Sequence, residues 1–272
     1  MYLLLDIGAT NTRIAYTENR DGIAGYKSFK TVPDFNLQKE KVQEICSRLV
    51  RDTKPKKIII AIPGHVHNDG TYTGSPNLRK WEGNSLYDLC GIANVPTQFV
   101  NDADAAGLGE ALYGAGKDRE IVAYLTISTG VGGARVVHGR IDEHAREQEP
   151  GWSLVYGYGA KSAENHEYDA LELFVSGSAL EARFGEKAES IDDPSVWESV
   201  IKVLAIGVYN TIRFWSPEIL ILGGSVMEKI DIRELQRAVK DIQAHLREVP
   251  EIKVAALGDM SGLYGAYALA RT

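Results

Sequence analysis

Along residues 2–32, short apolar runs alternate with turn signals: YLLLD, GATN, TRIAYT, NRDG and IAGYKSF. Apolar runs broken by Gly, Asn and Asp predict three strands joined by hairpins. Val42, Ile45, Cys46, Leu49 and Val50 then recur on one face, which predicts an amphipathic helix. KIIIAIP (57–63) is a continuous β-branched run, the pattern of a strand buried on both faces. A loop rich in Gly, Pro and Asn follows, with a short helix expected near 85–91. TQFVND (97–102) predicts another buried strand, and ADAAGLGEALYGAG the small-residue helix after it.

The pattern then restarts. EIVAYLTIS (120–128) leads into TGVGGARVVHG, a second strand, glycine turn and strand. Aligning Gly8 with Gly130 brings Arg13 into register with Arg135, so two similar hairpins open two halves of the chain. A long helix is expected from about Pro194 to Trp215, then the strand EILILGG, a helix near 233–246, the strand KVAAL and the helix GLYGAYALA. The stretch 142–168 reads as loop-rich. Strand–helix alternation predicts an α/β fold with ligands at the carboxyl ends of strands.

Composition narrows the classes. A length of 272 residues allows two ordinary lobes, and 44% hydrophobic with 25% charged residues is a globular balance. The net charge of −7 argues against a nucleic-acid partner. No apolar run is long enough to span a bilayer, and MYLLLDIG is too short for a signal-peptide core. Cys46 and Cys90 fall in helix-like segments outside any CxxC pair, so buried thiols in a reducing, cytoplasmic compartment are expected.

Three glycine turns and one aspartate carry the candidate chemistry. In DIGATNTR (6–13), an acidic residue at a strand end precedes a tight turn that can present backbone N–H groups to phosphate. Asp6 would then hold Mg²⁺, directly or through water; the alternative is an ordinary hairpin turn. STGVGGAR (128–135) repeats the arrangement with Gly130, Gly132 and Gly133. It continues as a strand, where a dinucleotide-binding fingerprint requires a helix, and GAGKD lacks the spacing of a P-loop. Gly223-Gly224 end the strand EILIL, where backbone can approach a flat base closely. Asp102 ends a buried strand and opens a helix, which suits a base that draws a proton from an attacking hydroxyl. Its alternative role is helix N-cap, and Asp104 reads as a first-turn helix residue.

DIGATNTR, AIPG, SPNL, Asn101-Asp102, ISTGVGG, EPGW, LELFVSG, PEILILGG and GLYGAYALA occur in the order seen in the ROK (repressor, open reading frame, kinase) family, which the chain resembles from residue 3 to about 270. The resemblance implies a two-lobed actin-like (ribonuclease H-like) ATPase/sugar kinase fold, with a small lobe of 1–103 joined by helix 260–272 and a large lobe of 104–259. It implies ATP and Mg²⁺ as cofactors, with Asp6, Gly8, Ala9, Thr10, Asn11, Arg13, Thr129, Gly130 and Gly132 near the phosphates. Gly223 and Gly224 then fall in the adenosine site. Gly64, Asn77, Asn101, Asp102, Glu149, Trp152 and Glu172 match sugar-contact positions, with Asp102 the base. The implied reaction is hexose phosphorylation, glucose first, with an N-acetylhexosamine or fructose as alternatives. A homodimer is a family-level expectation.

Two departures stand out. Trp152 occupies a position where many members carry a histidine, and YGYGAKSAENHEYDALE contains no cysteine where they carry three. No structural zinc is therefore expected, since His166 alone would leave the ion without ligands; Trp152, Tyr156 and Tyr158 are expected to pack in its place. His65 and His67 read as solvated turn residues. A repressor of this family would need a helix-turn-helix ahead of the first strand, whereas this acidic chain enters that strand at residue 2. A non-catalytic sugar sensor is the third reading, opposed by the presence of Asp6, Asp102 and both glycine turns.

Overall fold

The computed structural model describes residues 1–17, 22–50, 53–143, 148–155, 169–242 and 249–272. The chain divides into two compact units, Met1–Gly109 with Asp259–Thr272, and Glu110–Gly258.

The first unit holds strands β1 (Tyr2–Ile7), β2 (Asn11–Thr17), β3 (Gly25–Lys30), β4 (Ile58–Ile62) and β5 (Thr97–Asn101), in the order β3-β2-β1-β4-β5. β1, β4 and β5 run parallel, while β2 and β3 continue the sheet antiparallel. The alternation of side chains along a strand explains why both central runs are wholly apolar. Leu3, Leu5, Ile7, Ile58, Ile60 and Ile62 share a core with Phe35, Val42 and Cys46 of helix α1 (Phe35–Val50). Leu4, Ile59 and Ala61, also buried, alternate to the other face, where α7 (Ser261–Ala270) packs on β1 and β4. Gly109 and Gly265 let α7 approach α2 (Asp102–Tyr113) backbone to backbone, because a Cβ on Gly265 would run into the Ala105 carbonyl.

The second unit repeats the order. β6 (Ile121–Ile127), β7 (Val131–Val137), β8 (Arg140–Ile141), β9 (Ile219–Gly223) and β10 (Glu251–Val254) lie as β8-β7-β6-β9-β10. β6, β9 and β10 are parallel; β7 and β8 are antiparallel additions. The intervening helices are α3 (Glu172–Val175), α4 (Gly177–Phe184), α5 (Pro194–Trp215) and α6 (Ile232–Ile242). α5 begins with Pro at its first turn and Asp193 as cap, whose Oδ1 accepts the Ser195 amide at 2.8 Å. Its buried Val200, Ile201, Leu204, Val208 and Ile212 join Leu125, Ile127, Leu220 and Leu222 in one core. At about 1.5–3 kcal/mol for each fully buried aliphatic side chain, this seam is the main source of the helix's stability. Among the described residues, no helix is long and apolar enough to cross a membrane.

Three local expectations change. Residues 85–91 form successive turns, closed by Leu89 N–H to Leu86 O (3.1 Å) and Gly91 N–H to Asp88 O (3.0 Å), and no helix. Buried Leu86, Leu89 and Cys90 imitate a helical stripe, but Gly91 at φ +65° turns the chain away. The last strand is Glu251–Val254 and not 253–257, because the Ala256 and Leu257 amides donate to the buried Glu110 carboxylate at 3.0 and 2.8 Å. The ladders also revise the internal alignment. Each hairpin closes at Ile7↔Thr12 or Ile127↔Val131, so Arg13 corresponds to Gly132 and not to Arg135. Cys46 and Cys90 are both buried and free, and their contact, with burial, pushes the Cys90 thiol well above its ordinary value.

Candidate active site

In the first unit, Asp6, Gly64 and Asn101-Asp102 stand at or just beyond the carboxyl ends of the parallel strands β1, β4 and β5, where α/β folds collect ligands. Asp6 is 8% exposed and faces Arg13 across the β1–β2 ladder, with Nη1 3.4 Å from Oδ2. Burial pushes its carboxyl up to about 6, against the opposing pull of the Arg13 guanidinium; Asp259 adds a smaller push upward. Arg13 also reaches Asp259 Oδ1 at 2.6 Å, so the arginine lies between two carboxylates. Gly262 comes so close that a Cβ there would lie 2.7 Å from the Asp6 carboxyl carbon. The small-residue pattern of GLYGAYALA thus has a local purpose: it lets a helix start against a buried acid.

The Gly8–Asn11 turn is braced from behind. Gly8 N–H donates to Asn11 O at 2.9 Å, and Thr31 Oγ1 donates to Gly8 O at 2.7 Å. Buried Gln38 Nε2 donates to Thr12 Oγ1 at 2.9 Å, while its Oε1 accepts the Val32 amide at 2.8 Å. Ala9 and Thr10 lie at the tip, with Thr10 exposed.

At the end of β5, Asn101 Oδ1 accepts the amides of Ala103 (2.9 Å) and Asp104 (3.3 Å). Asn101 is therefore the cap of α2, and Asp102 is the first helical residue, where the helix dipole favours a negative charge. Asp102 Oδ1 shares the Ala103 amide at 2.9 Å. Asp104 is buried in the first turn. Gly64 follows β4 at φ +86°, and a Cβ there would strike the Gly74 carbonyl, so only glycine lets these two turns touch. Asn77 is exposed on a 3₁₀ turn, Pro76–Trp81, anchored by buried Leu78 and Trp81.

The second unit gathers the other candidates around the β6–β7 turn. Ser128 N–H donates to Gly130 O at 2.9 Å. Glu172 Oε2 accepts the Val131 amide at 2.6 Å, and a Cβ on Gly130 would lie 2.8 Å from that oxygen. The first amides of α4 close the other side: Gly177 N–H to Ser128 O (2.6 Å) and Ser178 N–H to Thr129 O (3.1 Å). Glu149, Pro150, Gly151 and Trp152 dock on β7, because Gly133 leaves room for the Pro150 ring and Gly151 for the Val131 carbonyl. Gly132 and Gly223 flank Thr126 on the two neighbouring strands. Gly224 sits at φ +94°, and a Cβ would collide with the Ile127 backbone. Trp152 is 56% exposed; Tyr156, Tyr158 and His166 lie outside the described residues.

A model of the ROK family matches residues 2–272. The chain belongs to the ROK family. An N-acetylgalactosamine kinase AgaK from Shewanella sp. strain ANA-3 is 26% identical over 98% of this chain and 95% of its own length. A relative from Bacillus subtilis strain 168 is 31% identical, over 61% of this chain and 59% of its own length. A ROK family glucokinase from Streptomyces griseus, solved with glucose and AMPPNP, superposes with a TM-score of 0.79 at 21% identity, covering 99% of both chains. That likeness is one of fold, the actin-like ATPase/sugar kinase fold that the motif order implies.

In this ROK chain, sequence reasoning missed several residues that shape the candidate site. Ser176 caps α4, accepting the Ala179 amide at 3.1 Å, and so sets the two amides that hold the β6–β7 turn. Asp259 and Gly262 complete the surroundings of Asp6 from the far end of the chain. A cap residue before a glycine in LFVSG, and glycines recurring in GLYGAYALA, are the available signals. Their partners are not written locally. Among the described residues, no group of three or more His, Cys, Asp and Glu could hold a metal ion by itself.

Proposed function

We propose that this chain transfers the γ-phosphoryl group of ATP to a hydroxyl of a hexose or N-acetylhexosamine, with Asp102 as general base. The observation that carries this reading is the division of labour at the end of β5. Asn101 accepts the amides of both Ala103 and Asp104 as the cap of α2, so Asp102, which shares only the Ala103 amide, opens the helix at the carboxyl end of β5. Family membership supports the same chemistry.

In this reading Asp102 accepts the hydroxyl proton as the sugar oxygen attacks the γ-phosphorus and the bond to the β-phosphate oxygen breaks. In the first unit the donor groups of the Gly8–Asn11 turn suit phosphate oxygens; in the second unit those of the Thr129–Gly130 turn suit the same chemistry, and exposed Gly224 suits close approach of a nucleoside. Asp6 suits Mg²⁺, because a single carboxylate with nucleotide phosphates and water completes that ion's shell. A cation there would also offset the cost of burying the Asp6 negative charge. When bound, Mg²⁺ offsets charge on the transferred group. Arg13 keeps Asp6 oriented. Asn77 and Asn101 in the first unit, and Glu149 and Glu172 in the second, offer amides and carboxylates of the kind that engage adjacent hydroxyls.

ADP release in a screen of hexoses, hexosamines and polyols tests the reading. Turnover with one or a few sugars is expected; sugar binding without ADP release would make the chain a sensor.

A further inference from the structure

Tyr72 belongs to no motif in the sequence, yet three segments of the acceptor side converge on its side chain. The residue is 0% exposed. Its backbone is tied down by its own amide to Asn84 O (3.0 Å) and by Gly83 N–H to its carbonyl (2.9 Å). Its ring meets Trp81 edge-on at 6.3 Å, and Trp81 in turn meets Phe35 at 5.7 Å. The aromatic stack therefore fixes where the phenol oxygen points.

That oxygen donates its proton to Pro63 O at 2.7 Å. Ser75 lies near that oxygen, and its surroundings include the negative charges of Asp102 and Glu82. Ser75 stands at the cap position of the 3₁₀ turn carrying Asn77, but its side chain caps no amide. Ser75 Oγ is instead buried with no hydrogen-bond partner among the described residues. Because Tyr72 is committed as donor to Pro63, the hydroxyl of Ser75 can approach it only as a donor. Burial pushes the phenol up to about 12, with Asp102 and Glu82 adding to the push and Ser75 opposing it. The phenol thus stays protonated through the physiological range, and the direction of its hydrogen bond does not change.

Resting on the sugar-kinase reading, we infer that Tyr72 is a positioning residue for the acceptor, whose hydroxyl locks the Pro63-Gly64 turn and the Ser75–Asn77 turn in register beside Asp102. Gly64 and Gly74 make the same two turns touch through their backbones, so a shift in one is passed to the other. Without the phenol hydroxyl, the Pro63 carbonyl loses its partner and the Asn77 turn loses its reference to β4. The acceptor hydroxyl would then meet Asp102 in a wider range of poses, which penalises catalysis through geometry.

Tyr72→Phe tests this, since it keeps the ring and its packing and removes one oxygen. In steady-state assays of ADP release, kcat/KM for the sugar is expected to fall about tenfold, with KM for MgATP unchanged. Ser75→Ala should move the sugar parameter in the same direction by less. Unchanged sugar kinetics in Tyr72→Phe, or a loss shared equally by sugar and nucleotide that tracks the folded fraction, would overturn the inference. Should Tyr72→Phe fail to fold, Ser75→Ala decides: a selective sugar defect supports the inference and normal kinetics overturn it. A wild-type protein inert toward every sugar overturns the kinase reading and this inference together, an outcome distinct from an active wild type with an indifferent Tyr72→Phe.

Discussion

One step before its hairpin closes, β1 places Asp6 between Arg13 on β2 and Ala61 on β4. At the same step, β6 places Thr126 between Gly132 on β7 and Gly223 on β9. The two sheets share their strand order. What differs is what each puts at that level: a buried acid with its counter-charge in one, and a hydroxyl between two glycines in the other. The same architecture thus supplies a charged position in one unit and an uncharged, glycine-flanked position in the other. The acidic partner of the second turn comes from elsewhere, since Glu172 reaches it from α3.

Substitutions that exchange these properties should break the contrast. The largest effect is expected at Gly224, where alanine meets both a backbone conformation reserved for glycine and the Ile127 carbonyl. Gly224→Ala should cost on the order of 4 kcal/mol in urea unfolding; a loss below about 1 kcal/mol would mean the β9 end relaxes freely.

A smaller effect, with a definite pH window, is expected at Asp6. Its folded pKa of about 6 lies above the ordinary 3.8, so the folded state holds the proton more tightly. Stability from this group is fully present below about pH 4 and is lost as pH rises through about 6, by roughly 3 kcal/mol. Unfolding of metal-free protein across this range should show that decline, and Asp6→Asn should flatten it.

Glu172 gives the smallest of the three. Removing its carboxylate by Glu172→Ala leaves the Val131 amide without its 2.6 Å partner, at about 2 kcal/mol. Glu172→Gln retains an acceptor and should recover most of that in the same unfolding assay.

Much of this was legible from pattern. KIIIAIP has the pattern of a strand with two covered faces, and both hairpins are marked by glycine between apolar runs. The helix pattern of 194–215 matches α5 residue for residue. The misreadings share a cause: the deciding partner was distant. Leu86, Leu89 and Cys90 have helical spacing but pack from turns into the α1 core. KVAAL ends its strand early because Glu110 captures two amides. At the site, Asp6 and Asn101-Asp102 were visible as polar residues ending apolar runs. Asp259, Gly262, Ser176 and Tyr72 were not, because each acts through a contact that only the fold creates.

One substitution separates the role of Asp102 as base from its place in the helix. Asp102→Asn keeps the shape of the side chain at the first position of α2 and removes the base. With the sugar found in the screen, turnover is expected to fall by about 10³-fold or more while calorimetry shows sugar affinity within a few-fold of wild type. Near-normal turnover in Asp102→Asn would contradict that role and move the proton to another acceptor.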